Sequence, residues 1–247
     1  TGEADLIGQY ARSLPLMVFN HLFGTPASLG DRIVANMSAI FEGVDAERSN
    51  AALSQCLLEL VLLKRERPGA DMTSWLLGHP AQLTNEEMVH QLAVNMGAGT
   101  EPELNLISNT MLLLLSDDRF AGDLSGGSMP VEDALDEVLW NDPPMANYGT
   151  TYPVHDVDLD GVLLRAAQPV VISFAAANND PSLATEQRIG NRAHLAWSAG
   201  PHVCPAQGPA RLIASAAIEK LLDRLPGMEL AVPIDQLLWR EGPFHRA

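Results

Sequence analysis

The chain is 247 residues long, 47% hydrophobic and 19% charged, and its 15 Lys+Arg against 31 Asp+Glu leave a formal charge of −16 at pH 7. So acidic a balance argues against a partner that is itself a polyanion, nucleic acid above all, while the apolar content argues against disorder and is enough for a sizeable core. Apolar runs such as 111–115 and 170–172 are far shorter than the roughly 20 residues of a membrane-spanning helix, and Cys56 and Cys204, the only cysteines, make no disulfide framework.

The first residues, Thr1-Gly2-Glu3-Ala4-Asp5, carry acids where a secretion signal carries a basic region and an apolar run, and no Met precedes them. This reads as a cytoplasmic protein, beginning inside a longer chain. Residues 14–23 have helical spacing of large apolar side chains, and Gly24 followed by Pro26 supplies a stop. Over 50–67 the positions Leu53, Leu57, Leu60, Val61 and Leu63 define an amphipathic helix, with Lys64, Arg65 and Arg67 at the negative end of its dipole. Thr84-Asn85-Glu86-Glu87 is a capping box that opens a long apolar helix over about 88–115, interrupted by Gly97, Gly99 and Pro102. Pro102 has no N–H to give to the carbonyl of Ala98, so the helix is expected to open there. The run 122–127 lacks the Lys-Ser/Thr ending of a phosphate loop and reads as a plain loop.

A short helix over 131–140 ends at Asp142-Pro143-Pro144. Alternating Val157, Leu159, Val162 and Leu164 around Asp160-Gly161 signal a hairpin, and 169–174 reads as a further β-rich run. The last clear helix covers 209–225, with Cys204 just before it. No internal repeat and no Gly/Ser/Pro-rich linker divides the chain, so 1–247 is expected to form one mainly helical domain with a small sheet.

Cys204 lies ahead of the positive end of a helix dipole, which favours the thiolate and with it a metal ligand. A lone cysteine in apolar company is more often structural, but the residues around this one carry more information. His194-Leu195-Ala196-Trp197-Ser198-Ala199-Gly200-Pro201-His202-Val203-Cys204 resembles the haem-binding loop of the cytochrome P450 family. In the family's order, the segment Glu137-Val138-Leu139-Trp140 falls in the register of its K-helix Glu-x-x-Arg motif, and Ala98-Gly99-Thr100-Glu101-Pro102 in that of its I-helix oxygen groove. The run 175–181 resembles the segment before the haem loop in soluble bacterial members, so the resemblance covers nearly the whole chain. Its start corresponds to a point well inside the family, and an N-terminal third is expected to be missing.

The resemblance implies a mainly α, P450-like fold and haem b (iron protoporphyrin IX) as cofactor, with Cys204 as the iron's thiolate ligand. His202 stands at the place of a donor to a haem propionate, and Trp197 where the family has Phe beside the thiolate. Ala206 replaces a customary glycine, and Ala98 and Gly99 line the groove. Glu101 and Thr100 are the catalytic candidates for proton delivery, because Pro102 occupies the place of the family's threonine. Trp140 replaces the arginine that pairs with Glu137 and ties the K helix to the loop before the cysteine, so Glu137 is expected to lose its partner. Thr151 stands where many members have a propionate-binding arginine. His21, His79, His90, His155 and His245 show no paired ligand spacing, and Cys56, on an apolar helix face, reads as packing.

The expected function is a haem-thiolate monooxygenase or peroxygenase oxidising an apolar small molecule in secondary metabolism. Its partners would be a ferredoxin and ferredoxin reductase, or peroxide, with neither nucleic acid nor membrane involved. The alternative is a catalytically impaired relative, with or without haem, acting as the partner of another enzyme or regulator.

Overall fold

Amphipathic spacing and turn chemistry account for most of the elements. The structure, a computed structural model, describes residues 2–121, 131–182, 188, 190–240, 242 and 244–246. They divide into two compact units, one of 4–104 and one of 105–247 with residues 1–3. The loop read at 122–127 lies outside the described residues.

The first unit opens with a π-helical turn, Ile7–Ala11, followed by α1 (Ser13–Leu22), α2 (Ala27–Glu42), α3 (Ala46–Glu66), α4 (Met72–Leu77) and the start of α5 (Asn85–Ser116). After α1 the chain reverses at Gly24, whose φ of +64° suits glycine, and any Cβ there would collide with the Asp71 carboxylate. Asp71 itself is buried, paired with Lys64 at 2.7 Å, and caps α4 by accepting from the Ser74 amide at 2.9 Å. Burial works against its charge, but Lys64 and the two Ser74 donors outweigh it and hold its pKa below the ordinary value. Ile33, Leu57, Leu60, Met88, Leu92 and Met96 form the centre of this unit's core, and Cys56 is packed among them as its position on α3 implied.

The capping box forms as read. The Glu87 amide donates to Thr84 Oγ1 at 3.2 Å and Glu87 Oε2 accepts from the Thr84 amide at 2.8 Å. α5 is one 32-residue helix with Pro102 inside it, so the opening expected near Ala98 does not break the helix. A proline removes one donor, and the bonds on either side of it carry the helix through.

In the second unit α6 (Asp118–Ala121) and α7 (Val131–Asn141) are followed by four short strands, β1 (Gly149–Thr151), β2 (Val157–Leu159), β3 (Val162–Leu164) and β4 (Val170–Ile172). The expected hairpin is β2–β3, turning through Asp160 and Gly161 at positive φ. β1 pairs antiparallel with β4, Thr150 opposite Val171, so among the described residues the small sheet is two separate two-stranded ladders. Val171 and Ile172 leave their side chains exposed. α8 (Phe174–Asn178) is capped by Ser173, whose Oγ accepts from the Ala176 amide at 3.1 Å. A 3-10 turn, Gly200–His202, precedes α9 (Gln207–Arg224). α7 packs on α8 and α9, with Leu135 and Leu139 buried on α7 and Ala214 and Ile218 buried on α9.

Candidate functional site

The residues with chemistry in the second unit gather on the loop before α9. α9 begins at Gln207, three residues after Cys204, and the Cys204 amide donates to the carbonyl of Trp197 at 2.8 Å. That bond closes the loop 197–204. Inside it the Ser198 amide donates to Leu195 O at 2.8 Å, and Ser198 and Gly200 hold φ of +61° and +62°. Only Gly200 takes that conformation without strain. The Cys204 thiol is free and half-buried, Trp197 is half-buried, and His202, Val203 and Ala206 are exposed. A Cβ built at Gly200 or Gly208 would meet nothing within 4 Å. Ala206 ends the approach to α9 as an exposed residue, so within this unit its methyl crowds nothing.

The donor set decides what such a loop can hold. Among the described residues no three His, Cys, Asp or Glu side chains converge on a point where a metal ion would sit. A closed protein metal centre takes about four such ligands. One accessible thiol, one histidine two residues away and one aromatic wall instead fit a prosthetic group that brings its remaining iron ligands with it.

Behind the loop, α7 is held by charges the sequence reading overlooked. Asp136, only 1% exposed, accepts from Arg192 Nε at 3.0 Å and from Arg211 Nη1, and Arg211 also pairs with Glu132. Burial disfavours the Arg211 charge, but the two carboxylates outweigh it and raise its pKa. Glu137, with Trp140 in place of its expected arginine partner, pairs instead with Arg119 at 3.3 Å and accepts from Asn141 Nδ2 at 3.0 Å. Trp140 donates its indole N–H to the carbonyl of Asn191 at 2.6 Å, and the Arg188 guanidinium lies over its ring at 4.9 Å. His194 meets the same ring edge-on at 5.7 Å; it is 6% exposed, and neither ring nitrogen has a hydrogen-bond partner among the described residues. Burial, followed by the charges of Arg211 and Arg192, pushes its pKa down against the pull of Asp136.

The I-helix candidates lie on α5 in the first unit. Thr100 and Glu101 are buried, and Thr100 Oγ1 has no partner among the described residues. Both line a small cavity with Arg12, Leu16, Met37 and Phe41. Gly99 is required by packing, since a Cβ there would run into the Phe19 ring. The structure thus brings Cys204, His202, Trp197 and Ala206 onto one loop, and Ala98, Gly99, Thr100 and Glu101 onto one stretch of helix. Thr151 is an exposed residue of β1.

Sequence reasoning missed Asp136, Arg211, Asn178, Arg188 and His194. Asp136 sits among Glu132, Asp133 and Glu137 and reads as one acid of a solvated face. Arg192 and Arg211, 56 and 75 positions further on, are what mark it as paired.

No protein-family model matches the chain. It is 31% identical over 262 residues to the mycinamicin IV hydroxylase/epoxidase of Micromonospora griseorubida, covering 100% of this chain and 66% of that protein. It is 30% identical over 259 residues to the cytochrome P450 monooxygenase PikC of Streptomyces venezuelae, covering 99% of this chain and 62% of the relative. The solved structure of CYP154A1 from Streptomyces coelicolor A3(2) superposes with a TM-score of 0.83 at 30% identity, over 95% of this chain and 62% of that one. The chain therefore spans less than two thirds of the length of these relatives.

Proposed function

Because the chain belongs to the cytochrome P450 family, we propose that the Cys204 loop is the thiolate side of a haem b site in a bacterial monooxygenase or peroxygenase that oxidises an apolar small molecule of secondary metabolism. The observation that carries the reading is the free, half-buried thiol of Cys204 on a hydrogen-bonded loop just ahead of α9. Cys204 would supply the thiolate that holds the iron, His202 a donor for a propionate, and Trp197 the wall beside the sulfur. When bound, a haem held by thiolate supplies O–O bond cleavage, because the sulfur pushes electron density onto iron.

The chain's own residues do the remaining work. The loop hydrogen bond from Cys204 to Trp197 fixes where the sulfur sits. The Glu101 carboxyl, with the Thr100 hydroxyl beside it in sequence, is the group on α5 able to hold a proton where Pro102 offers no hydroxyl. Electrons come from a ferredoxin and its reductase, or peroxide is used directly. Two of the relatives support the reaction class by name, one as a monooxygenase and one as a hydroxylase/epoxidase of mycinamicin IV.

The test is the absorption spectrum of the purified chain supplied with haem, reduced with dithionite and exposed to carbon monoxide. A strongly red-shifted Soret band that is lost in Cys204→Ala is expected. Haem-free protein after reconstitution, or a band indifferent to Cys204, refutes the site. Turnover with hydrogen peroxide is then compared with turnover on a ferredoxin chain, and no product under either condition refutes the catalytic part.

A further inference from the structure

The cysteine loop is reached from segment 191–197, and besides the ion pair of its own exposed Arg192 with Asp136 at 3.0 Å that segment is tied to the end of α7 twice. The first tie is the indole N–H of Trp140, donating to the carbonyl of Asn191 at 2.6 Å. The second is Asn178 at the end of α8, which donates Nδ2 to the carbonyl of Leu139 at 3.1 Å and accepts the Leu195 amide on Oδ1 at 2.7 Å. Asn178 is 4% exposed and both ends of its amide are used. Asn179 adds a bond from Nδ2 to the carbonyl of Trp140 at 3.3 Å. Arg188 lies across the outer face of the indole while donating to Asn141 Oδ1 at 2.8 Å, Asn179 Oδ1 at 3.0 Å and the carbonyl of Asn178 at 3.3 Å. His194 closes the ring's edge. Two residues beyond Leu195, the carbonyl of Trp197 receives the Cys204 amide.

We propose that Trp140 is a positioning residue for Cys204: its indole N–H tethers segment 191–197 to α7, and the thiol inherits its place from that tether. Of the carboxylates of α7, Glu137 is neutralised by Arg119, and Asp136 by Arg211 and by Arg192 of the segment itself. The side chain at position 140, free of any ion pair, is a backbone donor to the loop. The carbonyl of Asn191, half-buried, loses this donor when the indole N–H is removed, and the loop rather than the helix bears the loss. The tether is a property of the chain alone. Only its consequence at iron rests on the haem-thiolate reading.

Trp140→Phe keeps an aromatic ring for Arg188 and His194 and removes the N–H. Amide hydrogen exchange on the haem-free chain is expected to speed up at Leu195, Ser198 and Cys204 by about tenfold, the equivalent of one hydrogen bond. The amides inside α7, and those of the first unit, should exchange as before. Asn178→Ala, which cuts the other tie and leaves the indole in place, is expected to affect the same three amides. Unchanged exchange at these positions in Trp140→Phe overturns the proposal whatever Asn178→Ala does, and so does faster exchange throughout the chain, which means lost global stability. With haem and carbon monoxide, Trp140→Phe should convert part of the red-shifted Soret band to a less shifted one, while Arg32→Ala on α2 should not. If the wild-type chain takes no haem but the exchange pattern appears, the tether stands and the haem reading falls.

Discussion

His194 is held against Trp140 in a place where its proton is unwelcome. Burial lowers its pKa first, the nearby Arg211 and Arg192 add to that, and Asp136 opposes them. A histidine whose folded pKa lies below its unfolded value of about 6.5 contributes stability that is complete above that pH. The contribution is lost as pH falls below it and levels off once the folded ring is protonated as well. Thermal unfolding between about pH 7 and about pH 5 should therefore show a falling midpoint in the wild type and a flatter one in His194→Gln. Equal slopes in the two proteins mean that His194 is free to protonate where it sits. Single residues were legible when their neighbours in sequence explained them: Cys204, His202 and Trp197 stand within eight positions and the structure keeps them on one loop. His194 lies in the same stretch but owes its character to Trp140, Asp136 and Arg211, residues that only folding brings to it.

The contact between α7 and α9 turns on Arg211. Its side chain is 13% exposed and that of Asp136 2%, whereas Arg192, on the other side of the same carboxylate, is 59% exposed. Removing one partner of a buried pair strands the other, so Arg211→Ala should cost about 3 kcal/mol in denaturant unfolding. Arg192→Ala should cost less than about 1 kcal/mol, since water already screens it. Comparable losses would show that Asp136 is served equally by both. On α5, Thr84→Ala removes the acceptor for the Glu87 amide and should cost about 1 kcal/mol, read from the same unfolding curves. Helices were legible because their signals are local: a capping box, a C′ glycine, prolines beyond an end. The pairing of β1 with β4 was not, since Gly149-Thr150-Thr151 has no alternation of apolar residues and its partner lies some twenty positions on. α5 runs through Pro102, as the single apolar run over 88–115 implied, because the bonds on either side of the missing one carry it.

A charge of −16 over 247 residues acts on every part of the molecule at once. Like charges repel in the compact state more than in the unfolded chain, and dissolved ions screen that repulsion. Raising ionic strength from about 0.05 to about 0.5 M should raise the thermal midpoint, opposite to what the ion pairs alone would give. A falling midpoint would make the pairs around Asp136 and Asp71 the dominant electrostatic term. At this scale the sequence foretold a helical protein of the P450 family, and no linker marks the boundary between the two compact units, which falls inside α5. The same charge bears on the β1–β4 ladder. Among the described residues each of its strands has one strand neighbour and so is an edge of its ladder, beside the exposed side chains of Val171 and Ile172. Such an edge is a template on which another copy can lay a strand. Electrostatic repulsion between copies opposes that step at neutral pH and vanishes near the isoelectric point of about 4.6, so acid precipitates of this protein should be rich in intermolecular β-structure that a lysine at Val171 would suppress.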